Sequence, residues 1–363
     1  MLVGSNPKPA TRRLPSDPPP PQLCPLPSLA TSGVTCLPSR VSPSRSLSEP
    51  GPIPSPCRML VGPYADLLLR PTYARYISAV ALVTGANKGI GLEICRRLLS
   101  SQRVTVVLTA RDEGRGVAAV QKLRDSGATT GVFFHQLDVA DSSSVACLAD
   151  FVHAQFGKLD ILVNNAGVLG RASETQGLAG ESTNSLPAGE TYEKAEECLE
   201  TNYYGTKRVT EALIPLLLKS QSPRIVNISS YYGKLQRIPN EGIRKEIGDI
   251  DSLTEEKIDE MVRSFLNDFK EGKLRTNNWP ARLSAYTVSK VAMSAYTRII
   301  AKKYPTICIN CVQPGYVKTD LNANSGILSV EEGAEGPVML ALLPDGSPSG
   351  LFYDQTKESS FVA

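Results

Sequence analysis

From Ala79 onward the chain alternates between short apolar runs and stretches of helical periodicity, and this constrains its fold more than any other feature. The runs rich in Val, Ile and Leu fall at Ala79–Thr84, Thr105–Thr109, Val132–Leu137, Ile161–Asn164, Arg224–Ile228, Ile307–Val312 and Gly350–Tyr353. Amphipathic segments separate most of them: Leu92–Ser100, Gly114–Ser126, Ser142–Phe156, Ala195–Lys219 and Ala285–Lys303. Continuously apolar strands joined by crossover helices predict a parallel sheet covered on both faces. The expected fold is α/β, a Rossmann-type doubly wound sheet of about seven strands.

The first strand runs into Thr84-Gly-Ala-Asn-Lys-Gly-Ile-Gly91. Gly85, Gly89 and Gly91 permit a tight turn in which backbone N–H groups approach a pyrophosphate at a helix N-terminus. Asn87, Lys88 and Ile90 belong to the same turn. A lone glycine-rich loop means little, but this one follows a strand, precedes a helix and heads an alternating pattern. The second strand ends in Leu108-Thr-Ala-Arg111. An acid at this place would bind the ribose 2′-hydroxyl of NAD, whereas Arg111 accepts a 2′-phosphate. Lys88 adds a second cation, so the expected cofactor is NADP(H); neighbouring Asp112 runs against it. Asp138, in Leu137-Asp-Val139, is placed to accept from an adenine amino group. In Asn164-Asn-Ala-Gly167 the small Ala166 and Gly167 let backbone pass close to a bound ring, while Asn164 and Asn165 brace neighbouring strands.

Tyr286 and Lys290 lie four apart on a predicted helix and project from one face. An ammonium there stabilises a phenolate, whose acid otherwise has a pKa of about 10. The pair Ser229-Ser230 ends an upstream strand, and successive residues there point to opposite faces, so only one serine can face Tyr286.

These motifs, with Asn202 in Thr201-Asn-Tyr-Tyr-Gly205 and the run Pro314-Gly-Tyr-Val-Lys-Thr319, fall in the order of the classical short-chain dehydrogenase/reductase family. The chain resembles that family from Ala79 to Lys357, and its plant carbonyl reductase-like branch in particular, which includes menthone and salutaridine reductases. The resemblance implies that Tyr286 exchanges a proton with the substrate oxygen. Lys290 lowers the phenol's pKa and binds the nicotinamide ribose, Ser230 holds the carbonyl oxygen, and Asn202 anchors a water joining Lys290 to solvent. It also implies cofactor contacts from Asp138, Val139, Asn165, Ala166, Pro314, Gly315, Val317 and Thr319. The implied enzyme is an NADPH-dependent reductase of small hydrophobic ketones or aldehydes. A non-catalytic NADP-binding protein on the same scaffold would lack Tyr, Lys, Ser or Asn, and all four are here. A sugar-nucleotide epimerase would space its glycines GxxGxxG.

Ser230 and Tyr286 are separated by more chain than is usual in the family. This insertion, 231–285, carries a capping-box signal at Ser252-Leu-Thr-Glu255. Ile258, Met261, Val262, Phe265, Leu266 and Phe269 then recur at helical spacing, so one face must be buried. In the branch such a segment covers the surface through which other members dimerise, so a monomer is expected; the stripe's alternative use is as a partner surface. Tyr231, Tyr232, Trp279 and Leu321–Leu328 are candidate walls of the substrate cleft.

Residues 1–76 hold 17 of the 27 prolines and only three acids, Asp17, Glu49 and Asp66. Such a segment buries too little apolar surface to offset its ordering entropy and is expected to be disordered. It reads as a plastid transit peptide or as an upstream extension, since Met1-Leu-Val-Gly4 recurs as Met59-Leu-Val-Gly62. It also leaves room for an interaction protein with a proline-rich tail. Residues 77–363 form the enzyme domain. The net charge of +3 is too even for a nucleic-acid or anionic-membrane partner, and no apolar run reaches the roughly 18–20 residues of a span. His135 and His153 are isolated and indicate no metal site. Cys308 and Cys311 form a CxxC within a strand-like run, and dispersed thiols point to a reducing, cytoplasmic setting. Asn227-Ile-Ser229 matches the glycosylation pattern but lies in an expected core strand.

Overall fold

A computed structural model describes residues 79–101, 104–127, 131–171 and 189–362. The expected leader lies outside them. Seven apolar runs form strands β1 (Ala79–Val83), β2 (Val104–Ala110), β3 (Val132–Gln136), β4 (Ile161–Asn164), β5 (Arg224–Ile228), β6 (Cys308–Gln313) and β7 (Phe352–Asp354). The order in the sheet is β3-β2-β1-β4-β5-β6-β7, all parallel, with an eighth strand, β8 (Lys357–Ser359), antiparallel on β7. The expected count of seven is thus one short. β8 is a three-residue edge with exposed Lys357 and Glu358, so no apolar alternation announced it.

The helices are α1 (Gly89–Ser100), α2 (Glu113–Asp125), α3 (Ser142–Phe156), α4 (Tyr192–Leu199), α5 (Gly205–Leu217), α6 (Glu241–Gly248), α7 (Glu255–Lys270), α8 (Ser284–Lys303) and α9 (Val330–Ala341). Ile94, Leu98, Val120 and Leu340, from α1, α2 and α9, cover one face of the sheet. Leu148, Leu213 and Val291, from α3, α5 and α8, cover the other. The single helix expected over Ala195–Lys219 is interrupted by a π-helical turn, Glu200–Tyr204. There Gly205 comes so close to β3's exit that a Cβ on it would lie 2.7 Å from Val139 Cγ2.

α8 is buried along almost its whole length, Tyr286 and Lys290 included. Its Ala, Ser and Thr residues allow close packing, and several hydroxyls bond back to the helix: Ser289 donates to the Tyr286 carbonyl, Ser294 to that of Lys290 and Thr297 to that of Met293. α7 covers one flank of α8 with the expected stripe: Ile258, Met261, Val262, Phe265 and Phe269 are buried and Leu266 is half-buried. The stripe meets this chain's own Tyr203, Tyr296 and Trp279, so the partner-surface alternative is excluded. Lys207 ties the assembly together at 3.0 Å from Glu255 and 3.4 Å from Asp259.

The capping signal is shifted from its expected place. Thr254, not Ser252, caps α7, accepting from Lys257 N, while Ser252 Oγ donates to Asp249. The Ser252 register would put Glu255 at the third helical position. It occupies the first, where it pairs with Lys207 and Lys303. Among the described residues no helix is long and apolar enough to cross a membrane.

Candidate active site

The strand order reverses between β1 and β4, and ligands of open α/β sheets bind beyond the C-terminal strand ends at such a point. The glycine turn sits there. Gly85 has φ +61°, and a Cβ on it would stand 2.9 Å from Ala166 Cα. Gly91 abuts the side chain of Asn165, whose Nδ2 donates to the carbonyls of Thr84 (2.9 Å) and Gly85 (3.1 Å). Thr84 Oγ1 accepts from the backbone N–H groups of Asn165 and Ala166. The end of β4 thus braces the turn, whose glycines put no side chain in the way of a pyrophosphate at the helix N-terminus. A Cβ at position 91 would lie 2.4 Å from Asn165 Nδ2. Gly91→Ala should therefore expel that amide and weaken dinucleotide binding at least tenfold, read as Kd by fluorescence titration. Unchanged affinity would show that the brace does not matter.

The remaining cofactor candidates divide by position. Arg111 is exposed, with its carbonyl accepting from Gln136 Nε2. Asp112 caps α2, its carboxylate accepting from Arg115 N. The Lys88 ammonium, the second cation expected for the phosphate, lies 2.6 Å from Asp320, in the loop after β6. Arg115 also acts on Asp320, a cation that spacing gave no reason to select. Asn87 and Ile90 are half-buried in the turn. Asp138 Oδ1 is used by Ala140 N in a local turn, and the Val139 side chain packs on Gly205. Pro314 and Val317 are buried, Gly315 takes φ +92°, and Thr319 opens a short 3₁₀ turn. A Cβ on Gly89 would lie 3.5 Å from the Thr319 methyl, which brings the Pro314–Thr319 run onto the glycine turn.

Past the end of β5 the two serines separate as their alternation requires. Ser229 is buried, its Oγ 2.8 Å from Ser294 Oγ, and has only a packing role. Ser230 stands beside Tyr286, its side chain acting to lower the phenol's pKa, and its Oγ accepts from Tyr232 N at 3.2 Å. Lys290 Nζ donates to the Ile228 carbonyl at 2.8 Å and lies 5.8 Å from the Tyr286 ring centre. Asn202, on the π turn, accepts from Val168 N (2.8 Å) and donates to Val168 O (2.9 Å) and Ser289 Oγ (3.0 Å). A methyl built on Gly167 would lie 3.2 Å from Asn202 Oδ1 and 3.6 Å from Lys290 Nζ, so both residues flank that glycine. The four candidates therefore converge at the strand ends. The Asn202 amide braces β4's exit against α8. Burial pushes Tyr286 up to about 12, with Ser230's hydrogen bond pulling the other way. Burial also brings Lys290 down to about 8.

Tyr232 meets Tyr286 edge-on at 6.1 Å, and Tyr231, 47% exposed, stacks under the Arg237 guanidinium at 3.7 Å. Ile327 is 77% exposed in the Leu321–Leu328 loop, an apolar rim beside the Pro314–Thr319 run. Trp279, expected as a cleft wall, instead fills the insertion's own core: it packs 5.3 Å from Phe265 and donates from Nε1 to Asp268. Cys308 and Cys311 lie on β6, where residues three apart face opposite sides and cannot share one ligand. Glu190 was not selected at all. Its carboxylate accepts from Ser284 N and Oγ, contacts made across 94 residues that no local pattern records.

A parallel sheet with a glycine cradle at its switch point and a Tyr–Lys–Ser group beside it, the Tyr and Lys buried, defines a dinucleotide-dependent oxidoreductase scaffold. The sequence pattern of the family described as short chain dehydrogenase matches residues 79–242. A (+)-neomenthol dehydrogenase of Arabidopsis thaliana is 51% identical, the match covering 77% of this chain and 97% of that protein. The bovine (Bos taurus) carbonyl reductase [NADPH] 1 is 39% identical, covering 77% and 97%. The solved structure of salutaridine reductase from Papaver somniferum superposes with a TM-score of 0.70 at 49% identity, over 76% of this chain and 99% of that one. The chain belongs to the short-chain dehydrogenase/reductase family.

Proposed function

We propose that this protein is an NADPH-dependent carbonyl reductase that reversibly reduces a ketone or aldehyde of a small, mainly hydrophobic molecule. The relatives' names support a terpenoid, alkaloid or comparable carbonyl compound. The observation that carries the reading is the meeting of Tyr286, Ser230 and Lys290 at the strand ends beside the glycine cradle.

The cofactor fits these residues: Gly85, Gly89 and Gly91 leave backbone open to a pyrophosphate, and Arg111 stands free for a 2′-phosphate. When bound, the reduced nicotinamide supplies the hydride. Ser230 holds the substrate oxygen beside the phenol. Tyr286 donates its proton to that oxygen, and its raised pKa keeps the proton in place through neutrality, the form that reduction needs. Lys290 lies on the same face and binds the ribose. A water link at Asn202 would use the backbone of the π turn, since the side chain is engaged elsewhere. Tyr231, Tyr232 and the Leu321–Leu328 loop give an apolar mouth suited to a hydrophobic substrate. The covered α7 stripe supports a monomer. We place the protein in the cytoplasm, or in a plastid if the leader is a transit peptide.

Arg111→Ala tests the cofactor assignment. A charge-assisted phosphate contact is worth about 1.5–3 kcal/mol, so kcat/KM with NADPH should fall roughly tenfold to a hundredfold while that with NADH stays level. Equal losses with both dinucleotides would remove the assignment to Arg111. Better use of NADH by the unaltered protein would overturn the NADPH preference.

A further inference from the structure

The helix that carries Tyr286 begins without a cap of its own. Leu283 precedes it in the left-handed region, φ +49°, and offers no side-chain acceptor. The first turn of any helix exposes unpartnered N–H groups and a partial positive charge. Glu190 answers both from outside the helix. Its carboxylate is buried and accepts from Ser284 N at 2.8 Å and from Ser284 Oγ. Tyr286 is the next residue.

We infer that Glu190 is a positioning residue for the proton-transfer step. It fixes the first turn of α8 so that the Tyr286 hydroxyl meets Ser230, and its negative charge offsets the helix-end field that would otherwise favour the phenolate. The inference deepens the reductase reading and rests on it. The titratable groups that act on Tyr286 are Cys198 from α4 and Tyr232 from the loop after β5, with Lys290 beside it on its own helix. Those around Glu190 are Arg171 and Cys198. Cys198 is buried and held as the thiol. Burial pushes the Glu190 carboxyl above its usual range, while Ser284 and the Arg171 charge pull it back toward the carboxylate.

The sign follows directly. Alcohol oxidation needs the phenolate, so its kcat/KM rises with pH as Tyr286 ionises. Glu190→Gln keeps an acceptor for the backbone and removes the charge. It should leave NADPH affinity unchanged and move that rising limb to lower pH by about half a unit. Glu190→Asp keeps the charge but withdraws it by one methylene. It should lower kcat about fivefold or more while the limb stays near its original pH.

Both variants are compared with the unaltered protein in both reaction directions, with Tm and NADPH Kd measured in parallel. NMR titration of isotope-labelled tyrosine, with Tyr286 assigned through Tyr286→Phe, reads the same ionisation without turnover. A limb and a resonance unmoved in Glu190→Gln would overturn the inference, as would full kcat in Glu190→Asp. If Glu190→Gln does not fold, the Asp variant decides alone. A lower Tm with unchanged kcat and pH profile would reduce Glu190 to a purely structural cap. Absence of ketone reduction by the unaltered protein would instead count against the reductase reading, and the NMR titration would still decide the role of Glu190.

Discussion

Tyr286→Phe should lower kcat for ketone reduction about a thousandfold, within the 10²–10⁴ range that general acid catalysis contributes. The substitution removes one oxygen and nothing else that packs. The ring keeps its edge-on contact with Tyr232, and α8 keeps its buried surroundings. Ser230 loses the phenol oxygen beside it but is itself partly open to solvent, which limits the cost of that loss. Tm and NADPH Kd should therefore stay close to those of the unaltered protein, so the effect appears in kcat. Following NADPH absorbance under saturating cofactor measures it. Activity that survives undiminished would remove the proton-transfer role from Tyr286.

Phe265→Ala should destabilise the fold by about 3–5 kcal/mol, the usual cost of deleting a fully buried aromatic side chain. Phe265 has no exposed surface and stands edge-on to Phe269 at 5.9 Å and to Trp279 at 5.3 Å. No nearby side chain is free to fill the space: Trp279 is held by Asp268, and α7 is clamped through Glu255 and Asp259 to Lys207. Urea denaturation followed by circular dichroism gives the change. Size-exclusion chromatography of the same variant tests the monomer proposal, because loosening α7 would uncover the apolar flank of α8 and promote association. A loss below about 1 kcal/mol would mean that the insertion is not integral to the core.

Much of this arrangement was legible in the sequence because its causes are local. β1 to β7 are continuous apolar runs, and the α7 stripe repeats at the period of a helix. The glycine turn shows itself by residue type, since Gly85 and Gly89 adopt positive φ and Gly91 has no room for a Cβ. Strand alternation allows only one of Ser229 and Ser230 to face Tyr286, and the family resemblance points to Ser230. What escaped depends on contacts distant in sequence. Lys88 meets Asp320 across 232 residues, and Glu190 meets Ser284 across 94. The π turn adds a residue without any break in composition. The direction of the Tyr286 shift depends on how deeply α8 is packed, which spacing does not encode. α9 is a different case: its capping box, Ser329 with Glu332, stood in the sequence before an apolar run and went unread.

The burial of α8 has a consequence for divergence. The reacting side chains stand on the least yielding element of the molecule, whereas the rim built from Tyr231 and the segment around Ile327 contributes little to the core. Mutational drift at the rim can retune which molecule is accepted without disturbing how protons move. Exchanging only those few rim residues between such enzymes should thus transfer molecular preference while turnover chemistry is inherited intact.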